Sequence, residues 1–248
     1  MAEARVARRH FVMPGGRRMA AVTAREMREI DRIAVEESGP TLLQMMENAG
    51  RSMAVLAMRE LAGDLASRSV LVLTGRGGNG GGGICAARHL VPRVGRVTLS
   101  LADPERASEA ARQQLALYRG TAGAIVAVEA LGTLEPHDLI IDAVVGYGLR
   151  GAPQDWPARA IEWANRSPAT VISLDVPSGL DADSSEAPGA CVRADATLTL
   201  HMPKPGLASP VAGRLFVADL GIPAAVTRRL GIEAPEYGKG FIAALERG

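Results

Sequence analysis

Three stretches gather residue types that could do chemistry, and each directly follows an apolar run. After VLVLT (70–74) comes GRGGNGGGG, which completes seven glycines in the ten positions 74–83. So bare a backbone lets N–H groups approach a ligand closely, and a helix starting near Ile84 would aim its positive end at the same place, as an anion such as phosphate requires. After DLIIDAVV (138–145) comes a second glycine segment, GYGLRGA (146–152). Asp142 lies inside that apolar run, where a charge is costly unless it meets a cation or hydrogen-bond donors. After TVISLD (170–175) comes VPSGLDAD, in which Asp175 ends the run, Pro177-Ser178-Gly179 turns the chain, and Asp181 and Asp183 add two carboxylates. Turn formation accounts for Asp181 and Asp183 but poorly for Asp142 and Asp175. A cation held by oxygen ligands is one physical reason for such a group of acids.

These segments need a frame that brings strand ends together. Apolar, β-rich runs at 70–74, 97–101, 124–130, 138–145, 170–175, 196–200 and 214–220 alternate with helical patterns near 84–93, 105–119 and 157–166. Strands apolar on both faces read as a buried parallel sheet of repeated βαβ units. The expected fold class is α/β, a three-layer α/β/α arrangement with a mostly parallel central sheet. In such sheets ligands bind beyond the carboxyl ends of strands, near the point where strand order reverses. Thr23 with Glu26 forms a capping box ahead of an amphipathic helix ended by Gly39-Pro40, and a second helix follows at 42–61.

The 248 residues, 47% of them apolar, are enough for one domain with a full core. A net charge of +1 with no basic block argues against nucleic acid or a membrane surface as partner. Two cysteines are too few for a disulfide framework, and no run reaches the roughly 18 apolar residues of a membrane helix. A cytoplasmic protein acting on a small molecule is the expectation. Residues 1–20, Arg-rich and broken by Pro-Gly-Gly, read as a loose leader; 21–223 form the domain; 224–248 read as a tail ending in a short helix. Arg88 and His89 read as packing or solvent-facing, Cys85 as buried packing, and Trp156 and Trp163, seven apart, as core. Lys204 could meet a phosphate or close a turn. Gly75, Gly77 and Gly80 also match G-x-G-x-x-G, and Asp103 could serve as a ribose acid or as a helix N-cap. That fingerprint alone would suggest a NAD-dependent oxidoreductase, but it leaves DVPSGLDAD without a purpose.

The three stretches, together with TAREMREID (23–31), MMENAG (45–50), MPKPGL (202–207) and VADLGIP (217–223), resemble the NAD(P)H-hydrate epimerase family, the YjeF N-terminal domain. The resemblance runs from about residue 20 to 223. It implies a Rossmann-like fold, usually dimeric, that interconverts the R and S epimers of hydrated NADH and NADPH. A separate ATP- or ADP-dependent dehydratase would act on the S form. Carried over by position, substrate contacts fall on Gly78, Asn79, Gly80, Gly81 and Gly82, on Gly146, Tyr147, Gly148, Leu149, Arg150, Gly151 and Ala152, and on Asp175. A potassium ion would be held by Asn79, Asp142 and Ser178. Asp142 and Asp175 are the candidate catalytic carboxylates. The family usually reads Asn-Asn-Gly-Gly-Asp-Gly where this chain reads GNGGGG, so Gly78 replaces an amide and Gly82 a carboxylate. A relative that binds a nucleotide or a partner without catalysis is the alternative this departure suggests.

Overall fold

Seven apolar runs form seven parallel strands. They are β3 (Ser69–Thr74), β4 (Arg96–Leu101), β5 (Ala124–Ala127), β6 (Leu139–Ala143), β7 (Thr170–Leu174), β8 (Ala196–Leu200) and β9 (Arg214–Ala218), numbered after two short strands near the start of the chain. Those two are β1 (His10–Val12) and β2 (Arg18–Ala20); β10 (Ile242–Arg247) lies near the end. The computed structural model describes residues 8–101 and 103–248. All ten strands join in one sheet in the order β2-β1-β10-β9-β8-β7-β6-β3-β4-β5.

Alternate strand residues serve two cores, so both faces are covered. Val70, Val72, Leu139 and Ile141 pack under α2 (Leu42–Leu61), α3 (Gly78–Leu90) and α4 (Glu109–Arg119). Leu71, Leu73, Ile140 and Val171 pack on the opposite side under α5 (Asp155–Arg166). The expected three layers are therefore present. The edge strand β5 departs from the pattern: Ile125 on it is exposed. α1 (Ala24–Ile33) begins at the expected Thr23–Glu26 capping box and buries Met27, Ile30 and Ile33. α6 (Ala224–Arg229) packs beside it.

Three expectations are corrected. Within the expected leader, residues 1–7 lie outside the described residues, but the rest is built into the sheet: β1 pairs with β2 and β10, and Phe11, Met13 and Met19 are buried. The flanking arginines masked that alternation. The tail ends in a strand rather than a helix. IAALER has helix-favouring residues, yet β9 would otherwise leave an open row of backbone groups, and β10 closes it antiparallel. The glycine run is the third case, because it forms the first turns of α3 rather than a loop preceding it.

Interior glycines disfavour a helix by about 1 kcal/mol each relative to Ala, so close packing must compensate. A Cβ on Gly80 would lie 1.9 Å from the Gly75 carbonyl oxygen, and one on Gly83 would lie 2.5 Å from the Ala143 Cβ. The helix can approach the strand ends only because these side chains are missing.

Candidate functional site at the strand-order switch

The chain runs outward from β3 through β4 to β5, then returns to the other side of β3 as β6. Strand order therefore reverses between β3 and β6, and the segments leaving both strands flank one crevice. A cavity of about 670 Å³ opens there, within the range of small-molecule sites. Gly77, Gly78, Asn79 and Gly82 from the start of α3 line it, as do Val144–Gly148, Arg150, Trp156 and Asp175. The free N–H groups and positive end of α3 face this space, a favourable place for phosphate.

Asp175 stands at the cavity wall immediately after β7, in the left-handed backbone region (φ +71°) that Asp tolerates better than most residues. Its Oδ1 accepts from Lys204 Nζ at 2.5 Å, and its Oδ2 accepts from the Tyr147 amide at 2.8 Å. Lys204 is fully buried and also donates to the Leu200 carbonyl at 3.0 Å. The question left open for Lys204 is thereby answered: it is the counter-ion of Asp175, reaching back from the turn after β8. The Tyr147 hydroxyl extends the group by donating to Asp31 Oδ2 at 2.5 Å. Burial raises the Asp31 carboxyl above the usual aspartate range, against the pull of the Tyr147 hydrogen bond. Arg28 and Lys204 stand 6.0 and 5.6 Å from the centre of the Tyr147 ring.

Asp142 is a different kind of acid. It is fully buried and does not line the cavity, unlike Asp175, the other candidate catalytic carboxylate. Its oxygens accept from Ser173 Oγ (2.8 Å), the Ser178 amide (2.8 Å), Ser178 Oγ (2.5 Å) and the Val144 amide (3.3 Å). Burial pushes its carboxyl up, while these donors, Ser178 first, hold it down. Ser178 Oγ in turn accepts from the Val145 amide at 2.8 Å, so Asp142 and Ser178 tie the end of β6 to the turn after β7. Asn79 carries the unexplained polarity: both side-chain heteroatoms are buried with no hydrogen-bond partner among the described residues. A Cβ on Gly146 would come within 3.2 Å of Asn79 Oδ1 and 2.7 Å of Asp175 Oδ2, so these two side chains meet at one point of the wall.

Not every expected contact reaches the cavity. Gly80 and Gly81 are turned into packing, Gly81 against Met46, and Leu149, Gly151 and Ala152 lie outside the lining. Asp181 accepts from the Asp183 and Ser184 amides, and Asp183 accepts from the first amide of α1, so both are structural. Asp103 neither lines the cavity nor caps a helix with its side chain; it pairs with Arg76 at 3.1 Å. Trp156 and Trp163 pack against the core as expected, and Trp156 also lines the cavity with Arg76 5.8 Å from its ring. Arg28 and Arg76 are wall residues that motif spacing did not single out, and Asp31, the last residue of TAREMREID, received no role from it. That role carries no signal until Tyr147 is brought to the carboxylate. Glu47, Cys85 and His89 cluster between α2 and α3. The Arg88 guanidinium, 2.5 Å from Glu47 and 3.5 Å from Cys85 Sγ, already supplies their cation, and burial first of all pushes the Cys85 thiol up to about 12.

The model of the YjeF-related protein N-terminus family matches residues 42–206, spanning all of these wall segments except α1 and Leu220. The chain belongs to this family. Along 90% of its length it is 46% identical to the NAD(P)H-hydrate epimerase of Dehalogenimonas lykanthroporepellens, covering 91% of that protein. It is 36% identical to the bifunctional NAD(P)H-hydrate repair enzyme Nnr of Moorella thermoacetica over 83% of this chain, but spans only 41% of that longer protein. Among solved structures, yeast ynu0 superposes with a TM-score of 0.77 at 23% identity over 90% of this chain and 98% of its own, a likeness of fold. The YjeF-type fold thus accounts for both glycine segments, each following a strand at the switch point. Among the described residues, no helix is long and apolar enough to cross a membrane.

Proposed function

We propose that this chain is an isomerase that interconverts the R and S epimers of hydrated NADH and NADPH. The observation carrying this reading is the 46% identity to an NAD(P)H-hydrate epimerase along nine-tenths of both chains. In these damaged cofactors C6 of the reduced nicotinamide ring bears a hydroxyl. Loss of the hydroxyl, pushed by the ring nitrogen, leaves a cationic iminium that water re-enters from the other face. Asp175, paired with Lys204 and oriented by the Tyr147 amide, is the carboxylate that stabilises this charge. Such preorganised groups typically contribute a rate factor of about 10²–10³. The N-terminus of α3 and the cationic Arg76 and Arg150 suit the pyrophosphate end. A homodimer working beside a separate dehydratase completes the reading.

The test is direct: purified protein is expected to speed the interconversion of chromatographically separated R and S hydrates. Conversion no faster than in buffer would remove the reading and favour the alternative of a binding-only relative, which the missing carboxylate at Gly82 supports. Gly82→Asp measures that departure. Its new Cβ would lie 2.9 Å from a Leu174 methyl, a contact a rotamer change can relieve. If an acid at this position of α3 limits turnover, the variant is expected to gain activity, up to the ~100-fold end of acid–base effects. Unchanged activity would show that Asp175 and its neighbours suffice.

An alkali cation, potassium in this family reading, fits residues at and beneath the cavity wall. Asn79 Oδ1 is buried without a partner among the described residues, and with the carboxylate of Asp142 and the hydroxyl of Ser178 it offers the oxygen ligands that hard cations prefer. Ser178 can turn its proton to the Val145 carbonyl, 3.1 Å away, freeing Asp142 Oδ1. Bound there, the ion would supply positive charge that fixes Asn79 and the turn after β7. Exchanging potassium for choline at constant ionic strength is expected to lower the melting temperature. At 100 times the dissociation constant the ion contributes about 2.7 kcal/mol. Equal melting temperatures, or an undiminished shift in Ser178→Ala, would contradict the assignment.

A further inference from the structure

Resting on the epimerase reading, we propose that Asp31 and the Tyr147 hydroxyl form the proton-transfer pair of this cavity, with Tyr147 touching the substrate and Asp31 acting through it.

Three acids lie at or beneath the cavity, and their surroundings separate them. Asp142 is enclosed by four donors and lies off the wall. Asp175 is on the wall, but its two oxygens are held by the Lys204 ammonium and the Tyr147 amide, which suits a fixed negative charge rather than a proton carrier. Asp31 is on the wall with no cation in hydrogen-bond contact among the described residues; its bonded partner is the Tyr147 hydroxyl at 2.5 Å. The charged and titratable groups facing it are Tyr147 from the segment after β6, Asp175 after β7, Lys204 after β8, and Arg28 on its own helix beside the Tyr147 ring. Burial favours the neutral carboxyl, and the Asp175 charge acts in the same direction while Lys204 opposes it. Asp31 can therefore keep its proton at a higher pH than an exposed aspartate.

When the Asp31 carboxyl is protonated it becomes the donor across the 2.5 Å contact, and the Tyr147 proton is turned to the substrate; the Asp31 carboxyl then passes its proton to Tyr147 Oη as Tyr147 passes its own to the C6 hydroxyl. The C6–O bond breaks with its electron pair leaving as water, and the ring-nitrogen pair forms the C=N bond of the iminium. Water then bonds to C6 from the opposite face and releases a proton to solvent, from which Asp31 is reprotonated. No oxidant or reductant is needed. Because the acid form is required, the rate is expected to fall as pH rises through the raised Asp31 pKa.

The test compares the enzyme-dependent part of epimerisation, after subtraction of the spontaneous rate, for wild type, Tyr147→Phe, Asp31→Asn and Asp31→Glu, each verified as folded by thermal unfolding. Tyr147→Phe removes one oxygen and is expected to lower kcat about 100-fold or more with KM little changed. Asp31→Asn is expected to lose the alkaline decline of the pH profile along with the rate, and Asp31→Glu to restore part of both. Folded Tyr147→Phe and Asp31→Asn variants that keep wild-type kcat and pH profile would overturn the proposal alone, since active wild type leaves the epimerase reading standing. An inactive wild type would overturn both.

Discussion

Asp175→Asn is expected to slow epimerisation by about 10²–10³-fold, the typical effect of losing one preorganised charge-stabilising group. Asn suits the left-handed backbone at this position, so the turn itself is not strained. The change nevertheless leaves the Lys204 ammonium fully buried without its counter-ion, and breaking one side of a buried pair typically costs about 3–5 kcal/mol. Lys204→Met is expected to destabilise the fold by a similar amount through the stranded carboxylate. Combining both changes removes both charges together and is expected to recover most of the stability while leaving the enzyme slow. Urea unfolding and epimerisation rates on the four proteins separate the two roles. A double variant with wild-type turnover would mean that Asp175 serves the fold alone.

Asp142→Asn carries the second large effect, and it falls on stability. The carboxylate accepts from two hydroxyls and two amides in a fully buried position. An Asn amide turns N–H donors toward some of those donors. An unsatisfied buried group costs about 1–3 kcal/mol, and two or more are affected here, so a loss of several kcal/mol is expected. The tie between β6 and the turn after β7 loosens with it, and the potassium-dependent rise in melting temperature is expected to disappear. A variant as stable as wild type, and slowed only in turnover, would show that Asp142 works as a proton carrier.

How far the sequence foretold this molecule depends on what each signal measured. The central strands were legible because a buried parallel strand leaves an unbroken apolar run, as in VLVLT and TVISL. The site was legible as to location because glycines and acids follow those runs directly. Four things were hidden, each by a tertiary effect. Helix propensity rejects GNGGGG, whereas close packing against β3 and β6 demands it. The strands formed by residues 10–12 and 242–247 draw their pairing from an edge that local sequence does not reveal. Lys204 in a Pro-Lys-Pro turn shows nothing of its ion pair until β7 and β8 lie side by side. Asp31 belongs to a helix more than a hundred positions away from Tyr147, and only the fold joins them.

Pure S hydrate incubated with the protein in oxygen-18 water, and followed by chromatography with mass detection, tests hydroxyl loss and return within this cavity most directly. The expected result is R epimer appearing faster than in buffer and carrying oxygen-18 in its C6 hydroxyl. R epimer forming no faster than in buffer, or formed rapidly with its original oxygen retained, would contradict the account.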